Sequence, residues 1–206
     1  MTNGTNIDAY IKELEDGLKD NPDCGTTNYN LGVAYLSARD FGKAEEQFWK
    51  AVKCQPELAE AYVQLGGIAM NRGDLDETLR LNQVAAKCRP RFAVPHGNIG
   101  FVHLQRGQVE QAIKSLKRAL DLDPKFVQAR GTLGSAFFMM GDFDECIRQS
   151  ELAVELQDTF GPAYHNMGLA YLEKKDFAKA RENFEKARKY GYEVPEQLLK
   201  EAEENA

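Results

Sequence analysis

Three histidines and four cysteines are the side chains best equipped here for proton transfer, nucleophilic attack or metal ligation. His96 and His103 lie seven residues apart, which puts them on one helix face, where they read as packed core histidines. His165 stands alone and points toward what becomes, below, a candidate binding surface; there it could bind a ligand or sense pH. Cys24 and Cys146 have no His or Cys at ligand spacing, and Cys54 and Cys88 stand where Leu122 and Leu156 stand in a repeating frame, so they read as small apolar fillers. The sequence has no phosphate-binding loop, no GxSxG, no HExxH and no EF-hand loop. It therefore predicts no catalytic residue, no metal and no cofactor, and a protein that is not an enzyme.

The remaining candidate chemistry is electrostatic. The net charge is −6, but residues 1–79 carry −7, residues 80–130 carry +7 and residues 131–206 carry −6. Lys87, Arg89, Arg91, Lys114, Lys117 and Arg118 form a basic waist in an acidic chain. Such a waist can steer an acidic partner or another copy's acidic ends, or it can be plain solvated surface. Nucleic acid is a poor fit, because the overall charge is negative and no stacking aromatics interleave the basic positions. No apolar run approaches the ~20 residues that span a bilayer, so membrane insertion is not expected. Residues 1–11 lack the basic and apolar regions of a signal peptide, and the cysteines form no CxxC pair. Both features read as a cytoplasmic protein in a reducing compartment.

The elements that must position these groups follow from one stretch, residues 163–187. Tyr164, Met167, Gly168 and Tyr171, then Ala180, Phe184 and Ala187, have the spacing of two amphipathic helices that meet across a turn at Lys175–Asp176. Steps of 34 residues back from Gly168 land on Gly134, Gly100, Gly66 and Gly32. Counted from starts at Gly25, Ala59, Ala93, Val127 and Gly161, the eighth place is always glycine and the twenty-seventh always alanine. Glycine costs ~1 kcal/mol inside a helix, so five in register imply that paired backbones approach too closely for a side chain. Gly73, Gly107 and Gly141 sit where a left-handed residue ends a helix. Asp40, Asp74, Asp142 and Asp176 are N-caps, with Glu77 and Glu145 expected to complete capping boxes.

The pattern resembles the tetratricopeptide repeat family over nearly the whole chain, from about Asp8 to Tyr192. The departures are Asn28, His96 and Arg130 at the aromatic fourth place, where His96 and His103 again take aromatic positions, and Thr78–Asn82 and Cys146–Ser150 in two second helices. The resemblance implies an all-α fold, a right-handed superhelical α-solenoid of five helix-turn-helix repeats. Its expected organisation is a tail and half-repeat helix at 1–24, with Met1 to Asn6 loose, and repeats at 25–58, 59–92, 93–126, 127–160 and 161–194. A charged capping helix at 195–206 completes it, as open arrays require.

In this family first helices line a concave groove that binds peptides or proteins. The Lys, Asn and Arg clamp of chaperone-binding members has no basic counterpart here, since the matching places hold Tyr29, Val33, Gln64, Val94 and Asn98. By register the groove residues are Tyr29, Val33 and Leu36; Val63, Gly67 and Met70; Gly97, Phe101 and Leu104; Gly131, Phe138 and Met139; and His165, Leu169 and Leu172. This apolar surface predicts an adaptor that holds a partner's apolar or amphipathic segment. The alternatives are a self-assembling scaffold forming homo-oligomers through groove, basic waist or acidic ends, and, more remotely, an accessory subunit of an enzyme. Gly67, Gly97 and Gly131 lie outside the packing motif, and the expectation is a shallow furrow there, flanked by Met70, Phe101 and Phe138.

Overall fold

The computed structural model describes residues 4–205, and every regular element among them is helical. In chain order these are α1 (Gly4–Asp20), α2 (Gly25–Ser37), α3 (Phe41–Cys54), α4 (Ala59–Asn71), α5 (Leu75–Cys88) and α6 (Ala93–Gln105). They continue with α7 (Val109–Leu122), α8 (Val127–Met140), α9 (Phe143–Leu156), α10 (Gly161–Glu173), α11 (Phe177–Lys189) and α12 (Glu196–Glu204). The first helix of each repeat starts at the residue the 34-residue frame assigns, so the chain is an all-α repeat solenoid. One expectation changes at the start: Gly4 to Asn6 belong to α1 and are not a loose tail, while residues 1–3 lie outside the described residues.

The chain divides into two compact units, residues 1–95 and 96–206. In the first, Leu31, Phe48, Ala51, Leu65 and Leu81 form a core against which Ile11, Leu14 and Leu18 of α1 pack. The second unit has one core around Leu116, Ala119, Leu133 and Phe137 and another around Met167, Phe184 and Ala187. Leu199 and Ala202 of α12 join the last of these, so the final helix covers apolar surface that the fifth repeat would otherwise expose.

The register glycines do what their cost requires. A Cβ at Gly168 would sit 2.5 Å from Phe184 Cε1, and one at Gly32 would sit 2.6 Å from Phe48 Cε1. Where the aromatic is missing, other groups take the space: the Asn82 amide against Gly66, Leu116 against Gly100, and Ser150 with Asn166 against Gly134. The departures in the second helices therefore change the filler and leave the helix pairing intact.

Each turn between paired helices uses one device. The N–H of Asp40, Asp74, Gln108, Asp142 and Asp176 donates five residues back, to the carbonyls of Tyr35, Ala69, His103, Phe137 and Tyr171. The residue just before each donor is left-handed: Arg39 (φ 61°), Gly73 (75°), Gly107 (68°), Gly141 (83°) and Lys175 (60°). For an L side chain this conformation costs ~1–2 kcal/mol, so Arg39 and Lys175 are strained where three repeats use glycine. Arg39→Gly and Lys175→Gly should each raise stability by ~0.5–1 kcal/mol in urea unfolding, the gain reduced by glycine's freer unfolded state. A loss of stability in either variant would contradict this account.

The four aspartate caps form as expected, accepting from the N–H groups of Lys43, Glu77, Glu145 and Lys179. Gln108 holds the same place before α7 without a side-chain cap; its Oε1 lies 2.7 Å from His103 Nδ1 instead. The capping boxes need correction. Glu77 gives both carboxylate oxygens to Arg80, and Glu145 gives its own to Arg148 and Gln149. A guanidinium one turn ahead offers a charged, two-point partner, which outcompetes a single backbone N–H. These pairs hold both glutamates below the usual carboxylate range.

Candidate functional site

On α4, Val63, Gly67 and Met70 follow one another at helical spacing on one face. Val63 and Met70 are half-buried, and beyond the chain neighbours and backbone of its own helix no atom lies within 4 Å of where a Gly67 Cβ would be, so this face opens onto free space. Val33, at the place on α2 that Gly67 takes on α4, is exposed. Tyr29 and Leu36 differ, since both pack on the core of this unit, Tyr29 with its ring 5.7 Å from that of Phe48.

In the second unit the same register gives a mixed result. Phe101, Phe138, Leu169 and Leu172 are half-buried, and Met139 is 53 % exposed. Leu104 is a correction: it is 7 % exposed within the core of Leu116 and Leu133, so it is not groove lining. Phe138 leans on Phe143 at 5.6 Å, while Leu169 and Leu172 pack against the last core.

The furrow at Gly97 and Gly131 is also corrected. Both glycines are buried, and a Cβ would meet Phe126 Cε1 at 2.7 Å in one case and Phe160 Cε1 at 2.5 Å in the other. These phenylalanines stand at the thirty-fourth place of the same repeats and fill the space from within. Only Gly67 remains open. In the fifth repeat the place of Gly97 and Gly131 is taken by His165, which lies between the rings of Phe184 (5.9 Å) and Tyr192 (4.9 Å), where burial holds its pKa below the ordinary histidine value.

The fourth place has a role that spacing alone did not expose. Asn28 Nδ2 donates to the Pro22 carbonyl, the Arg130 guanidinium to Pro124, and the Tyr164 hydroxyl to Asp158. Three unlike side chains thus hold the end of the preceding repeat, which explains how a polar residue replaces the aromatic. Lysine and arginine at the fourteenth place make another link between neighbours, Arg72 to Glu45 and Lys174 to Asp144. Met140 takes that place in the fourth repeat and is 48 % exposed beside Met139, an apolar step that the register reading did not single out.

The basic residues are all exposed. Lys87, Arg89 and Arg91 belong to the first unit and Lys114, Lys117 and Arg118 to the second. Arg89 is engaged with Glu60 at 2.6 Å and lies over the Phe92 ring, and Lys117 lies over Phe137. All four cysteines are free thiols, and Cys146 is buried, its pKa pushed up to about 12 by desolvation. Among the described residues no group of three His, Cys, Asp or Glu side chains is placed to hold a metal, and no helix is long and apolar enough to cross a membrane.

Comparison with known proteins decides the family. Models described as tetratricopeptide repeat match residues 11–59, 29–91 and 161–191, and one described as TPR repeat matches residues 100–141. The chain belongs to the tetratricopeptide repeat family. Among solved structures of this fold, YrrB, described as a TPR protein with an unusual peptide-binding site, is 21 % identical with a TM-score of 0.71, covering 93 % of this chain and 97 % of its own. MamA is 26 % identical at a TM-score of 0.65, covering 83 % and 97 %. Pseudomonas aeruginosa pilF is 18 % identical at 0.74, covering 88 % and 86 %. A search of curated protein sequences finds no significant match. These likenesses show the tetratricopeptide fold and leave its ligand to its own surface.

Proposed function

We propose that this tetratricopeptide repeat protein is a non-catalytic adaptor that holds an apolar or amphipathic segment of a partner protein on its first-helix face. The observation that carries this reading is the open α4 face, where Gly67 leaves free space between half-buried Val63 and Met70. A glycine inside a helix costs ~1 kcal/mol, and this one lacks the close neighbour that accounts for the five register glycines and for Gly97 and Gly131. Bulky apolar side chains spaced along a helix suit such a face better than a charged tail, because no basic clamp is present. The description of YrrB as a peptide-binding array supports the class of ligand.

A display selection with random peptides tests the reading. Parent protein should enrich peptides with apolar residues at helical spacing. Gly67→Leu fills the space and should weaken their binding at least tenfold, with unfolding midpoint unchanged or raised. Enrichment of acidic tails, or equal binding by the leucine variant, would overturn the proposal.

A further inference from the structure

Four repeats keep the end of the first helix free of large apolar residues, and the fourth does not. At the thirteenth place stand Ser37, Asn71, Gln105 and Glu173, and at the fourteenth Ala38, Arg72, Arg106 and Lys174. The fourth repeat puts Met139 and Met140 there, both exposed. Phe138 and Phe143, half-buried and with ring centres 5.6 Å apart, flank the pair along the chain.

The exchange also takes a cation away from two carboxylates. Lys174 pairs with Asp144 of the preceding repeat. Arg72 pairs with Glu45 in the same sense, and its charge is further stabilised by Asp74, the cap of its own repeat. One repeat before Lys174 and Asp144, the same step across the α7–α8 junction sets Met140 against Glu110. Glu110 is exposed and makes no ion pair among the described residues, although Lys114 stands one turn on. Asp142, two residues after Met140, caps α9 through Oδ1. At that place Asp40 and Asp176 give the second oxygen to a lysine three residues on, Lys43 at 3.4 Å and Lys179 at 3.0 Å. Asp142 has Glu145 there instead. The neighbouring cations are engaged elsewhere, Arg148 with Glu145, Lys117 over the Phe137 ring and Lys174 with Asp144. An exposed apolar step thus lies beside two carboxylates that lack the cation their counterparts have.

We propose that the end of α8 docks a basic, apolar step of a partner protein. A lysine or arginine of the partner takes the place of the missing fourteenth-place cation, and a bulky aliphatic side chain next to it covers Met139 and Met140. The cation serves Glu110 and Asp142 as Arg72 serves Glu45 and Asp74. Methionine suits the second contact, because its flexible, polarisable chain adapts to different apolar shapes. Adjacent large apolar residues left exposed where other repeats are polar mark a surface kept for a partner. An acidic segment does not fit, since it would add like charge to both carboxylates. This surface is separate from the α4 face, and neither reading depends on the other.

The test uses the full chain with isotope-labelled methionine methyl groups, so that NMR signals of Met139 and Met140 report this surface and Met70 reports the α4 face. The probes are three acetylated, amidated tetrapeptides: lysine-leucine-leucine-lysine, glutamate-leucine-leucine-glutamate and lysine-glycine-glycine-lysine. The first should shift the Met139 and Met140 methyl signals saturably and bind roughly tenfold tighter than either of the others. Glu110→Gln should weaken it about threefold, the size of one exposed ion pair. Met140→Lys restores the cation within the chain and should remove the Met139 response, with circular dichroism unchanged. Shifts at Met70 alone, no saturation at Met139 and Met140, equal binding of either control peptide, or undiminished binding by Glu110→Gln or Met140→Lys would overturn the proposal. So would Met139 signals that move with protein concentration in the absence of peptide and stop moving in Met140→Lys, which would assign this surface to a second copy.

Discussion

Phe184→Ala should cost ~3–5 kcal/mol, the ordinary range for removing a fully buried aromatic ring. The more telling result is its coupling to Gly168. The ring lies against that glycine so closely that a Cβ would be 2.5 Å from Cε1, so Gly168→Leu alone should also be strongly destabilising. In the double variant the leucine side chain extends into the volume the ring has left. The pair should therefore be more stable than the two single losses combined, by at least ~1 kcal/mol. Urea unfolding followed by circular dichroism measures all three variants. Strict additivity would show that the ring and a side chain at this glycine do not compete for one volume.

Gly131→Leu should destabilise by ~2 kcal/mol. Overpacking against Phe160 costs up to ~3 kcal/mol, and about 1 kcal/mol returns as helix propensity. Gly67→Leu should instead gain ~0.5–1 kcal/mol, because its Cβ meets nothing and only the propensity term remains. Two glycines on corresponding helices are thus expected to respond with opposite sign to one substitution. Equal responses would mean that the Phe160 ring moves aside at no cost.

These two glycines also mark where reading the sequence stops being sufficient. The helix starts at Gly25, Ala59, Ala93, Val127 and Gly161, the left-handed glycines and the aspartate caps were all legible, because each rests on neighbours a few residues away and the pattern recurs. Gly97 and Gly131 looked as open as Gly67, because what fills them is a phenylalanine 29 residues later, brought back by the second helix. The capping boxes failed for a local reason, a competition that Arg80 and Arg148 win. The candidate groove was legible only as a register. Burial separates Val33, Gly67, Met70 and Met139, which face outward at least in part, from Leu104, which the core has taken.

Cys146 gives the fourth repeat a built-in clock. Its Sγ donates to the Asn166 carbonyl across the contact of α9 with α10, and burial keeps the thiolate, the form that reacts, out of reach. Cys24, Cys54 and Cys88 are only half-buried and should be alkylated directly. Modification of Cys146 must wait for α9 to part from α10, so its slow phase reports the free energy of that opening. The native chain can therefore be timed repeat against repeat with a thiol reagent and mass spectrometry. A Cys146 rate equal to the other three would mean that this junction is open in solution.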